Sequence, residues 1–142
     1  VATAKERVTK WFGDSPRGPD IPVVNGGVPT LPAPLAKVAK DQIPTTRIHR
    51  MWTFGGLNEG DSIDMQLAAS VLGGLSSSRL DNALVRKEAI AVGVSAFAVP
   101  FEDASIFMVQ ADVKPGVDTA LVARRLDEEI AAFIKAGPTS DE

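Results

Sequence analysis

The chain has no cysteine and a single histidine in 142 residues. The first absence removes disulfides, thiolate nucleophiles and cysteine-based zinc sites together. Positive charge is not in excess either: a formal net charge of −3 and a pI near 5.2 give no basic face of the kind that nucleic acid requires. No apolar run approaches the roughly 20 residues of a membrane span. There is no initiator methionine, charged and apolar leader or cleavage-site pattern, so neither a native start nor a signal peptide is visible. What is there suits a globular domain. With 44% hydrophobic and 23% charged residues, a chain of this length buries roughly two thirds of its unfolded surface as one domain.

Both ends read as cuts. "VATAKERVTKWFGD" has helical spacing of Val8, Trp11 and Phe12, with Gly13 at the position of a left-handed C-terminal residue, but nothing caps its front. "GPTSDE" places Thr139 three residues before Glu142, a capping box with no helix behind it. We therefore expect residues 1–13 to be the end of a truncated helix, 14–44 a connector, 45–137 an α+β lobe and 138–142 the truncated start of a further helix.

Seven of the ten prolines lie between Pro16 and Pro44. They remove backbone donors and forbid a long helix. The apolar residues Ile21, Val23, Val24, Val28, Leu31 and Leu35 suggest that this connector docks in part rather than being a solvated linker. "TTRIHRMWTF" reads as a strand bearing Ile48, Trp52 and Phe54, interrupted on that face by Arg50. "DSIDMQLAASVLGG" reads as a helix with Asp61 as N-cap, Ile63, Leu67, Ser70 and Val71 as its buried stripe and Gly73-Gly74 as its stop. The serines of "SSSRLDNALVRKEA" open a second helix with Leu80, Ala83 and Leu84 inward and Arg86, Lys87 and Glu88 outward. "IAVGVSAFAV" alternates small Ala91, Gly93 and Ser95 with Ile90, Val92 and Val94, as expected for a central strand pressed by a helix. "SIFMVQADV" pairs with it as an antiparallel hairpin, burying Phe107, Val109, Ala111 and Val113. A last helix over about Asp118 to Ala136 turns Val122, Leu126, Ile130, Phe133 and Ile134 inward. The resulting class is α+β, an antiparallel sheet with helices packed on one face in a two-layer sandwich.

Catalytic chemistry is scarce. His49 lies between two arginines with no converging ligands, so a structural or surface role is expected rather than zinc or catalysis. Ser76, Ser77 and Ser78 have no base beyond that remote histidine and are read as helix caps, not nucleophiles. Arg79 could hold an anion, although a neighbouring carbonyl or carboxylate is the simpler partner. The acidic turns at Glu59 to Asp61 and Phe101 to Asp103 lack calcium-loop spacing, and Gly26-Gly27 lacks the lysine and hydroxyl of a phosphate loop. No catalytic, cofactor-binding or metal residue is assigned.

"VLGGLSSSRLDNALVRKEAIAVGVSA" resembles the Leu-Gly-Gly, Ser-Ser-Arg-Leu, Leu-Val, Lys-Glu and strand succession in the C-terminal half of the peptidase domain of the pitrilysin/insulinase family of zinc peptidases, which includes mitochondrial processing peptidase. "VTKWFGDSPRGP", "RIHRMWTFGGLNEGDSIDMQLAASVLGG" and "ADVKPGVD…AGPTSDE" resemble its flanks in the same order, so the likeness covers essentially the whole chain. It implies one lobe of a zinc-peptidase half in a parent zinc metalloendopeptidase, forming part of a peptide-enclosing chamber wall opposite a second half or partner subunit. The family's His-x-x-Glu-His motif is absent, so zinc would be bound outside this piece, which alone should be inactive. An inactive partner subunit acting in assembly or substrate holding is the alternative, and an unrelated small-molecule-binding domain a third. Where the family's non-zinc half carries an Arg and a Tyr that reach the active site, this chain has Val85 and Val92, which implies the zinc-bearing half or a non-catalytic paralogue, the "LV…A…VSA" wording favouring the former. Similar bacterial proteins imply a periplasmic or envelope location, and surface left bare by a missing lobe implies self-association.

Overall fold

The computed structural model describes residues 1–22 and 26–142. The chain runs α1 (Ala2–Phe12), β1 (Arg47–Gly55), α2 (Asp61–Ala69) with a π-helical continuation Ser70–Gly74, a second π-helix (Asp81–Lys87), β2 (Ala91–Val99), β3 (Ala104–Val113) and α3 (Thr119–Ala136). The three strands form one antiparallel sheet in the order β1-β3-β2. Its helices lie on one face, giving an α+β two-layer architecture.

Alternation along the strands separates the two faces. Val109 of β3 stands opposite Arg50 of β1 and Ala96 of β2, and Ala111 opposite Ile48 and Val94. These rows, with Phe107 and Val113, face the helices. Val109 and Ala111 are fully buried together with Leu80 and Leu84 of the second helical stretch and Val122 and Leu126 of α3. Two contacts confirm that the α2 continuation and α3 share this side, whereas α1 buries no residue. Gly73 lies against the backbone of Ala96, and Arg50 crosses to α3, where its Nε and Nη2 donate to the Asp127 carboxylate at 2.7 and 2.9 Å. The charge that interrupts the apolar face of β1 therefore ties the sheet to a helix.

Several expectations require correction. β3 is the central strand, and β2 lies at an edge. The pairing passes from Ala91↔Val113 to Gly93↔Asp112, leaving Val92 as the extra residue of a β-bulge, 52% exposed. The bulge shifts the alternation by one, so Ala91 and Val94 both point inward. On α2 the expected stripe is reversed: Ile63 and Leu67 are 70% and 61% exposed, while Ser62, Ala69 and Leu72 are buried. Asp61 is the first helical residue behind Gly60 and provides no side-chain cap. Ile134 points outward from α3, whose Asp118 does cap it, accepting from the Ala120 amide at 3.0 Å. Gly13 retains right-handed helical angles.

The connector forms no helix or strand among its described residues. Val28 is half-buried, and Pro29 O accepts from Thr53 Oγ1 at 2.6 Å, but Ile21, Leu31 and Leu35 are exposed. Docking is thus seen at Val28 and Pro29 among the described residues, and the expectation for Val23 and Val24 lies outside them.

Candidate functional site

Three strands with the packed helices on one side leave the other side of the sheet without a helix among the described residues, the connector touching it where Thr53 Oγ1 donates to Pro29 O. The residues turned there are Arg47, His49, Met51 and Thr53 on β1 and, in register with them, Asp112, Gln110, Met108 and Ile106 on β3. Ser95, Phe97 and Val99 of β2 extend the same rows. The β3 members are half-buried. The surface is graded, apolar around Phe97, Met108 and Met51 and polar toward Arg47.

At the polar end Arg47 makes a two-pronged pair with the directly opposed Asp112, at 2.6 and 3.0 Å, and this raises the arginine pKa further above its ordinary range. A shallow depression of about 240 Å³ beside the pair is lined by Arg47, Gly93, Ser95, Gln110 and Asp112. Gly93 opens it by lacking a side chain: a Cβ there would meet only the Asp112 carboxylate, at 3.9 Å. The arrangement offers hydrogen bonds and apolar contact. It holds no nucleophile paired with a base.

His49 stands on this bare face opposite Gln110. Among the described residues no group of three or more His, Asp or Glu side chains is placed to hold a metal ion. Asp112, the carboxylate two positions along, is already committed to Arg47. The residues of this chain do not fit the zinc that the resemblance implies, because a tight site takes three or four converging ligands.

The serines behave otherwise than as caps. The Ser76 carbonyl accepts from Arg86, and the Ser77 carbonyl accepts from Asn82 Nδ2 at 2.8 Å. Ser78 Oγ is buried without a partner among the described residues, and His49 faces the other side of the sheet, so no Ser-His pair forms. Arg79 does take a carbonyl and a carboxylate, Gly137 O and Glu142. A contact that the spacing did not reveal is Glu88 with Arg125 of α3, joined by Nε at 3.0 Å and Nη2 at 2.6 Å; hydrogen bonding by Arg125 holds the Glu88 carboxyl below its usual range. Their sequence separation of 37 residues hides it from helical periodicity. The outward row of β3, by contrast, is legible as the complement of its buried one.

The sequence model of the peptidase M16 inactive domain matches residues 1–142. No curated protein matches. Among solved structures, a protease from Helicobacter pylori is 18% identical with a TM-score of 0.72, over 99% of this chain and 35% of that one. The peptidase M16 inactive domain from Pseudomonas fluorescens is 21% identical with a TM-score of 0.57, over 70% of this chain and 24% of the other. The inactive peptidase domain of a candidate zinc protease from Bordetella parapertussis is also 21% identical, with a TM-score of 0.58 over 72% of this chain and 57% of that chain. The chain spans from about a quarter to just over half of these structures, and at such identities the likeness is one of fold.

Proposed function

Since the chain belongs to the family of M16 peptidase inactive domains, which matches it from end to end, we propose that it works as part of a zinc-dependent metallopeptidase of the pitrilysin/insulinase type. It supplies one stretch of the wall that encloses the peptide, while the metal and its water are held elsewhere. A second peptidase half or subunit closes the chamber, and a periplasmic or envelope setting completes the reading. The observation that carries it is the bare sheet face: apolar Met51, Phe97 and Met108 beside hydrogen-bonding Ser95 and Gln110 suit an extended peptide, which presents both kinds of group.

An inactive partner subunit is the second reading. It is favoured by the exposed Val92, standing where the resemblance puts a side chain that reaches the active centre. The test is made on the longer protein. A chelator should abolish cleavage of a fluorogenic peptide, zinc should restore it, and Met108→Lys should lower kcat/KM without unfolding the lobe. A parent with bound zinc and full activity in Met108→Lys would remove the wall from the proposal. A parent that cleaves nothing, yet whose partner does so only in its presence, would leave the second reading.

A further inference from the structure

Arg79 is the point at which three separate parts of the chain meet. Its guanidinium lies 4.9 Å from the ring centroid of Phe133 near the end of α3. Nη2 donates to Gly137 O at 3.0 Å, and Nε and Nη2 grip the Glu142 carboxylate at 2.8 and 2.5 Å. Glu142 also accepts from the Thr139 amide at 2.8 Å, closing one half of a capping box. Between them Gly137 turns the chain with φ of +71°, a conformation that suits glycine. The two side chains are only 13% and 19% exposed. Forked, shielded pairs of this kind are stronger and more directional than solvated ones.

We propose that Arg79 is a positioning residue that straps the segment after α3 onto the lobe and sets the direction in which the chain leaves it. Gly137 lets the backbone reverse, Phe133 supplies the platform, and Glu142 is returned to the same guanidinium that holds the Gly137 carbonyl. Every component is placed by Arg79, whose own position is fixed by the fully buried Leu80 beside it. Any structure built on residues beyond Glu142 in a longer chain inherits that orientation. The Glu142 carboxyl is held down to about 2, chiefly by Arg79 and then by the Thr139 amide, so the strap stays charged through the neutral range.

The chain has no native cysteine, so a spin label at each of Lys87→Cys and Ser140→Cys reports the strap alone. Their distance distribution should be narrow, and Arg79→Gln or Glu142→Gln should broaden it. Exchange of the Thr139 amide should quicken about tenfold in either variant, in line with the loss of a shielded charged pair, and no further in the double variant. Glu142→Gln is decisive, because a change at the last residue leaves the core intact even if Arg79→Gln disturbs Phe133. A narrow distribution and unchanged Thr139 exchange in Glu142→Gln would overturn the proposal. So would broadening in Arg79→Gln alone.

Discussion

Replacing Gly73 by alanine tests how the helical layer meets the sheet. A Cβ on Gly73 would lie 2.7 Å from the Ala96 backbone nitrogen, 2.9 Å from the Ala96 Cβ and 2.9 Å from the Ser95 carbonyl carbon. None of these atoms can swing aside, because all belong to the strand or to the first atom of its side chain. Relief to about 3.4 Å needs a separation of about 0.7 Å, and gaps of that size forfeit a quarter to a half of each contact they open. Ala69 and Leu72, buried on the same surface, move out with the helix. Overpacking of this kind costs about 1–3 kcal/mol, partly offset by about 0.4–1 kcal/mol from a less flexible unfolded chain. Gly74 is the control: its Cβ would meet nothing nearer than Ala69 O at 3.4 Å, so only the favourable part applies. Gly73→Ala should therefore lower Tm by roughly 4–6 °C while Gly74→Ala leaves it unchanged or raises it by about 1–3 °C. Urea melts followed by circular dichroism supply a second measure. Equal midpoints for Gly73→Ala and the parent, or equal losses in both variants, would refute the close approach.

Ala89 has a positive φ of 51° without being glycine, so Ala89→Gly should stabilise the chain by up to about 1 kcal/mol in chemical denaturation, strain relief outweighing the added backbone freedom. Leu84 is fully buried, and Leu84→Ala should cost about 2–5 kcal/mol in the same experiment. Because Arg125 lowers the pKa of Glu88 in the folded state, the pair contributes stability above the ordinary carboxylate pKa and loses it as pH falls through the depressed value; Glu88→Gln should flatten that acid limb in melts between about pH 2 and 6. Replacing Arg50 by Met should lower the melting temperature and loosen α3, read as faster amide exchange near Asp127, because the carboxylate loses its bridge to the sheet.

Where sequence spacing matched the structure, one periodicity acted alone. On β3 every second residue from Ser105 to Val113 is buried, and α3 buries Val122, Leu126 and Ile130 at helical intervals. Spacing failed where a local device intervened. The bulge at Val92 inserts one residue into β2, and a period-two reading carried across it assigns the wrong faces on one side. The central position of β3 was hidden for a different reason: apolar character on both faces of β2 suggested burial, whereas strand order depends on pairings between β1 and β3 such as Arg47↔Asp112 and Gly55↔Ala104, far apart in the chain. Of the bare face, His49 and the β3 row could be read from the residues. The pairs Arg47 with Asp112 and Arg79 with Glu142 span 65 and 63 residues, and no local pattern announces them.

The reversal on α2 has a physical cause that the residues do carry. A helix that presses close to a sheet must present small groups, since a leucine on the contact line holds the axes apart. Ser62, Ala69 and Gly73 follow at intervals of seven and four, one side of a helix, and Gly73 meets the small Ala96. Hydrophobicity alone ranks Ile63 and Leu67 above them and so selects the outer side. Those two residues, with Val8, Trp11 and Phe12 of α1, are exposed. Periodicity reports that a helix has an apolar stripe, but the stripe can serve a surface contributed by another part of a larger assembly. The chain spans 35% of one matched structure and 57% of another, which leaves room for such a surface. Small residues at helical spacing thus mark the line along which α2 and its continuation press on the sheet.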